Sequence, residues 1–182
     1  MQSALFIGRF QPFHNGHLDV VKKILENNER VIIGIGSAEK NFLPQNPLTA
    51  SERFQLIEAA LIEANIPKEN FCIIPVRNVN NFALWVNHIN MYMPPYTKIY
   101  TGSEIVKACY QDAYKNDGPE IIDVERELQI SATKIREAIM NETTWKNLVP
   151  KSVANLLEKW EISRRIQTIH GTMDITKYNN LY

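Results

Sequence analysis

Short apolar runs alternate with amphipathic stretches along most of this chain, and that alternation is the strongest constraint on its fold. Ala4-Leu5-Phe6-Ile7 is apolar on both faces and stops at Gly8, as a buried strand does. Over residues 16–28, Leu18, Val21, Ile24 and Leu25 recur at helical spacing, with Asp19, Lys22, Lys23 and Glu26 opposite. Residues 30–36 read as a second strand and 37–48 as a polar loop. Thr49-Ala50-Ser51-Glu52 makes a capping box ahead of Phe54, Ile57 and Leu61. Strand-like residues 71–75, 98–101 and 121–124 then alternate with helix-like 82–93, 104–115 and 133–141, and 152–160 adds a further helix. From Glu161 on, no strong period stands out. Strands separated by helices must run parallel with crossover connections, so the pattern predicts an α/β fold built on a doubly wound parallel sheet.

Composition narrows the function. The 182 residues suffice for one domain with a short appendage, read as residues 1–162 and a tail at 163–182. Twenty Lys and Arg balance twenty Asp and Glu, which leaves no electrostatic footprint for nucleic acid or a membrane surface. Cys72 and Cys109 lack metal-ligand spacing and cannot make a disulfide scaffold. No apolar run approaches the ~20 residues of a membrane span. No basic segment followed by a long apolar stretch opens the chain, so a cytoplasmic location is expected. The tail, with Arg164-Arg165, His170 and two tyrosines, reads either as a subunit contact or as a disordered end.

Ligands of open α/β sheets bind beyond the carboxyl ends of the strands. The segments that follow strands therefore matter most, and residues 8–17 are the most informative of them. Gly8-Arg9-Phe10-Gln11-Pro12-Phe13-His14-Asn15-Gly16-His17 joins the first strand to the first helix. Unpaired N–H groups and a positive dipole gather at a helix start. His14 and His17 add two imidazoles there, Arg9 a permanent charge, and Gly8 and Gly16 room for close approach. Two histidines three apart are common on surfaces and in cores, and the strand–glycine–arginine context gives this pair its weight. Ser131 and Thr133, with Arg136 one turn on, read as a second phosphate corner, although Ser131 alone would be a helix cap. Gly34-x-Gly36 lacks a third glycine and follows the second strand, which argues against a dehydrogenase fingerprint. The turn at residues 34–37, with Gly36 and Ser37, is expected to line the cleft.

The first segment resembles the H-x-G-H signature of the nucleotidyltransferase superfamily. In its longer form it is similar to nicotinamide mononucleotide adenylyltransferases of the archaeal type. Further matching stretches follow in order. They include Asn46-Pro47-Leu48-Thr49-Ala50-Ser51-Glu52-Arg53, Asn81-Phe82-Ala83-Leu84-Trp85-Val86, Tyr100-Thr101-Gly102-Ser103 and Ile130-Ser131-Ala132-Thr133-Lys134-Ile135-Arg136. The resemblance spans about residues 3–160. It implies a Rossmann-like sheet of the nucleotidyltransferase type and adenylyl transfer from ATP to nicotinamide mononucleotide, giving NAD and pyrophosphate.

The implied catalytic set is Arg9, His14, His17 and Arg136, with Gly8, Phe10, Gly16, Gly102, Ser131 and Thr133 binding ATP. Trp85 would stack on the nicotinamide ring, where an indole face attracts a pyridinium cation by roughly 0.5–2 kcal/mol; the other reading of Trp85 is a packing aromatic. Asn81 would meet the carboxamide, and Gly36 and Ser37 the substrate. Arg53 is either a phosphate contact or a solvated helix residue, and Lys134 is open in the same way. Ala132 departs from the Ser or Gly of many members, at the cost of at most one side-chain hydrogen bond. Asn78 and Asn80 stand where some members place an acidic residue. The resemblance also implies Mg²⁺ carried in with ATP, a homo-oligomer of unspecified size, and no nucleic-acid or membrane partner. Rival readings are a sister transferase acting on another phosphate acceptor, such as phosphopantetheine, and a nucleotide sensor without turnover.

Overall fold

The structure, a computed structural model, describes residues 2–115, 117–124 and 130–172. Five strands form one parallel sheet: β1 (Ser3–Gly8), β2 (Arg30–Ile35), β3 (Phe71–Pro75), β4 (Lys98–Thr101) and β5 (Glu120–Asp123), in the order β3-β2-β1-β4-β5. The chain builds outward from β1 to β3 on one side, then crosses to place β4 against the other side of β1. The order therefore reverses between β1 and β4, where a doubly wound sheet opens a crevice.

Side chains alternate across the sheet with the period of a strand. Ala4, Phe6, Val31, Ile33, Ile35 and Phe71 enter one core layer. It is covered by α1 (Asn15–Asn27), α2 (Ala50–Glu63), α5 (Ala132–Met140), α6 (Lys151–Lys159) and α7 (Ile162–Thr172). Leu5, Ile32 and Ile99 enter a second layer, beneath α3 (Phe82–Tyr92) and α4 (Glu104–Tyr114). The capping box opens α2 as its sequence implies: Glu52 N–H donates to Thr49 Oγ1 at 3.2 Å and Thr49 N–H to Glu52 Oε2 at 2.9 Å. Among the described residues no helix is long and apolar enough to cross a membrane.

The segment from Glu161 requires a correction. Residues 162–172 form α7, with Ile162, Ile166 and Ile169 buried at i, i+4 and i+7. Arg164, Arg165 and Gln167 dilute that period in the sequence. Ile162 and Ile166 join the same core as α5 and α6, and Arg165 pairs with Glu52 of α2 at 2.8 Å. Residues 173–182, the rest of the expected tail, lie outside the described residues.

Candidate active site

The turn after β1 is built around aromatic rings. Phe10 adopts a left-handed backbone (φ 50°), and its buried ring folds back beneath Gly8. A Cβ on Gly8 would sit 3.0 Å from that ring, so a larger residue there would push the ring aside. Phe10, Phe13 and Phe6 surround the imidazole of His17 at centroid distances of 4.9, 5.4 and 6.2 Å. Phe10 is thus a bed for His17.

His14 caps α1, and the two histidines cap each other. His17 N–H donates to His14 Nδ1, and His14 N–H to His17 Nδ1, both at 3.3 Å. The rings stack with centroids 3.6 Å apart and planes 18° from parallel. An Nδ1 that accepts a hydrogen bond carries no proton, so each neutral ring has its proton on Nε2 and is a donor at that atom. Gly16 leaves space for this stack, since a Cβ there would lie 3.2 Å from the His14 ring.

The second corner comes from α5. Ser131 Oγ accepts from Lys134 N–H at 3.2 Å and caps the helix. Arg136 Nη1 donates to the Gln11 carbonyl at 2.9 Å and Nη2 to Thr133 Oγ1 at 3.3 Å, tying α5 to the first loop. Gln11 is itself pinned: its amide donates to the Leu48 carbonyl at 2.9 Å and accepts from Leu48 N–H at 3.0 Å. At the end of β4, Thr101 Oγ1 accepts from Ser103 N–H at 3.1 Å.

These corners face one pocket of about 280 Å³ at the reversal of strand order. Gly8, Arg9, Phe10, His14, Gly16, His17, Gly102, Ser131, Thr133 and Arg136 all line it. Gln11, Asp19, Thr101 and Ser103 line it too, without a site role assigned to them from the sequence. The glutamine had a signal, its place inside the motif, but its partner Leu48 is 37 residues away. Burial lowers the pKa of Arg136, and the like charge of Arg9 lowers it further. Burial also lowers that of Arg53, to about 10, where Glu39 opposes the shift and Arg9 adds to it. Gathered positive charge of this kind suits an anion.

The acceptor-side residues are not brought into that pocket. Arg53, Gly36, Ser37, Asn81 and Trp85 all stand outside its lining. For Arg53 the expectation of a phosphate contact is corrected: the side chain is fully buried, and its guanidinium donates to backbone carbonyls, those of Gly36 and Ser37 included. Asn81 caps α3 through Ala83 N–H at 3.1 Å. Trp85 is half-buried and meets Tyr110 edge-on, with centroids 6.2 Å apart at 78°. The Tyr110 hydroxyl lies 2.7 Å from that of Tyr96, which donates to Asn90 Oδ1 at 2.6 Å. Burial raises the pKa of Tyr96 to about 12 and that of Tyr110 further, so both hydroxyls stay neutral. Asn78 Nδ2 donates to Asn80 Oδ1 at 3.0 Å, so those two side chains hold each other.

A parallel sheet with a donor-lined pocket at its reversal point, flanked by two helix starts, defines a nucleotide-binding transferase site. Residues 5–138 match the cytidylyltransferase-like family. The nicotinamide-nucleotide adenylyltransferase of Methanococcus aeolicus is 36% identical over 168 residues, which are 92% of this chain and 94% of that one. The chain belongs to the nicotinamide-nucleotide adenylyltransferases, within the cytidylyltransferase-like family. A bifunctional NMN adenylyltransferase/ADP ribose pyrophosphatase from Francisella tularensis has a similar structure, with a TM-score of 0.78 and 25% identity over 92% of this chain. This chain spans about half of that one, 52% of its length. The same bifunctional protein complexed with AMP and a manganese ion gives a TM-score of 0.74 at 26% identity, over 92% of this chain and 51% of that one.

Proposed function

We infer that this protein transfers the adenylyl group of ATP to the 5′-phosphate of nicotinamide mononucleotide, in NAD biosynthesis. The observation that carries the reading is the reciprocal histidine cap. It gives two imidazoles a defined tautomer at the mouth of a helix, beside Arg9 and Arg136. An oxygen of the mononucleotide's 5′-phosphate attacks the α-phosphorus of ATP. The bond from that phosphorus to the α–β bridging oxygen breaks, and its electron pair leaves with pyrophosphate. The nucleophile is already anionic near neutral pH, so no general base is required. Catalysis is then positioning and charge stabilisation. His14 and His17 donate from Nε2 to phosphate oxygens around the reacting phosphorus. Arg136, Ser131 and Thr133 hold the departing end of the triphosphate, and Arg9 adds charge between the two substrates.

The pocket is cationic and hydroxylic, and among the described residues no three His, Cys, Asp or Glu side chains gather as a metal cage. That donor set fits Mg²⁺ held by the oxygens of ATP itself, where the ion would screen the phosphate charges. Trp85 and Asn81 supply the acceptor's ring and carboxamide contacts. ATP as substrate suits the cytoplasm.

The test is pyrophosphate release from ATP and Mg²⁺ with nicotinamide mononucleotide, its nicotinic acid analogue and phosphopantetheine in parallel. Release with the first, with NAD appearing, is the expected result. Release with phosphopantetheine alone would keep the phosphate site and remove the role of Trp85. ATP binding with no release from any acceptor would make the protein a sensor.

A further inference from the structure

One buried charge takes no part in handling phosphate. Arg53, in the first turn of α2, is 0% exposed. A guanidinium has five N–H donors in a rigid fork, and here five backbone carbonyls receive them. Nε donates to Thr49 at 3.2 Å. Nη1 donates to Arg9 at 3.0 Å and Gly36 at 2.9 Å. Nη2 donates to Ser37 at 3.1 Å and Ala38 at 3.5 Å. The acceptors lie on three separate stretches of chain: the cap of α2, the loop after β1 and the loop after β2.

Two of these carbonyls belong to backbone that needs holding. Phe10 and Ser37 both have φ of 50°, a left-handed conformation that side chains other than glycine seldom adopt. The Arg9 carbonyl forms the peptide just before Phe10, and the Ser37 carbonyl the peptide just after Ser37. The guanidinium thus fixes a peptide plane at each of the two turns.

The loop after β2 passes the constraint on. Gly36 N–H donates to the Gly8 carbonyl at 2.9 Å, closing it against the first loop. Ala38 N–H donates to the Val76 carbonyl at 3.0 Å, and Glu39 Oε2 accepts from Asn78 N–H at 3.0 Å. Residues 76–81 then lead directly into α3 and Trp85. An unbroken series of hydrogen bonds therefore runs from the residue that adds charge between the substrates to the segment that carries the acceptor's ring.

We propose that Arg53 is a positioning residue that sets the backbone of Arg9 against the loop leading to Trp85, so that one guanidinium fixes the relative placement of the two substrates. The inference rests on the adenylyl-transfer reading of the site. Lysine cannot replace arginine in this role. Its three donors would leave at least two of the five carbonyls without a partner.

Steady-state kinetics of a double-mutant cycle tests it, using wild type, Arg53→Lys, Arg9→Ala and the double variant, with folding checked by circular dichroism. A displacement near 1 Å at a reacting group costs about a hundredfold in rate. Arg53→Lys should therefore lower kcat ~30–100-fold, with the KM for ATP moving less than about 5-fold and that for the mononucleotide rising. In the Arg9→Ala background the same change should cost less in kcat than in the wild type, because the side chain that the held peptide positions is gone. A merely structural arginine would give either no kcat loss or the same factor in both backgrounds, and either result overturns the proposal. If Arg53→Lys does not fold, Glu39→Ala tests the outer link on an exposed side chain. It should raise the KM for the mononucleotide and leave that for ATP unchanged, and no change in either overturns the proposal. Wild type that forms no NAD from ATP and the mononucleotide sinks the functional reading and this inference with it. Wild type that forms NAD while the cycle is multiplicative sinks the inference alone.

Discussion

The two halves of the cleft are built differently. On the side proposed to hold ATP, polar groups are already committed to the backbone: His14 and His17 cap one another, Gln11 is bonded twice to Leu48, and Arg136 is held by the Gln11 carbonyl. On the acceptor side, Asn81 caps a helix whose neighbouring residues face solvent, Phe82 being 67% and Leu84 53% exposed. One half is preorganised, as stabilising a transition state demands. On the proposed reading, the other would meet its substrate through a half-buried indole and a loop. The difference predicts that damage on the first side appears in kcat and damage on the second in KM.

The largest effect should follow loss of the His17 ring. A removed phosphate donor costs on the order of 10²–10³ in kcat. His17→Ala should show that loss with the mononucleotide KM nearly unchanged. His17→Gln sharpens the comparison, because its amide oxygen can still accept the His14 N–H while its amide nitrogen can still donate. It should keep more kcat than the alanine variant. A glutamine variant as slow as the alanine one would mean that a hydrogen-bond donor is not what that residue supplies.

Trp85→Ala should act on the other half. A cation–π contact of roughly 0.5–2 kcal/mol corresponds to a ~2–30-fold rise in KM for the mononucleotide, with kcat held. A fall in kcat of the same size, with KM unmoved, would erase the distinction between the halves.

The smallest effect concerns stability and sits behind the ATP side. Burial raises the pKa of Glu52, but hydrogen bonds from Arg165 and Thr49 and the Arg165 charge outweigh it, so the net pKa falls below the ordinary 4.5. A depressed carboxylate contributes stability that is present above its unfolded value and lost as pH falls through its folded one. Thermal melts should therefore weaken on acidification below about 4.5. A charged hydrogen bond contributes about 1.5 kcal/mol, so Glu52→Gln should lower Tm at neutral pH by ~3–6 °C and flatten that acid dependence. An unchanged acid limb in the variant would assign the effect to other carboxylates, of which Glu63, held by Ser152 and Lys151, is the first candidate.

Local patterns carried most of the fold and most of the residues that line the pocket. The Thr49–Glu52 cap, the strand at Phe71–Pro75 and the first loop are all written in consecutive residues. What escaped was written between distant ones. Arg53 has the neighbours of a solvated helix residue, and only the folding of three chain segments around it supplies five carbonyls. Gln11 meets Leu48 across 37 positions. Helix α7 has an apolar period of only three isoleucines, and Arg165 becomes legible when Glu52 and Phe42 arrive beside it. Side-chain-to-backbone bonds across long separations leave no periodicity to read.

The gathering of Arg9, Arg53 and Arg136 has a consequence for the molecule at rest. Arg9 disfavours the charged form of both other arginines, a small repulsion in and beside the pocket. An anion entering the pocket would offset it, and whatever binds only the native fold also stabilises it. At a hundred times its dissociation constant, a ligand adds about 2.7 kcal/mol to apparent stability. On the proposed reading, nucleotide concentration would therefore bear on the folding equilibrium of this protein as well as on its rate.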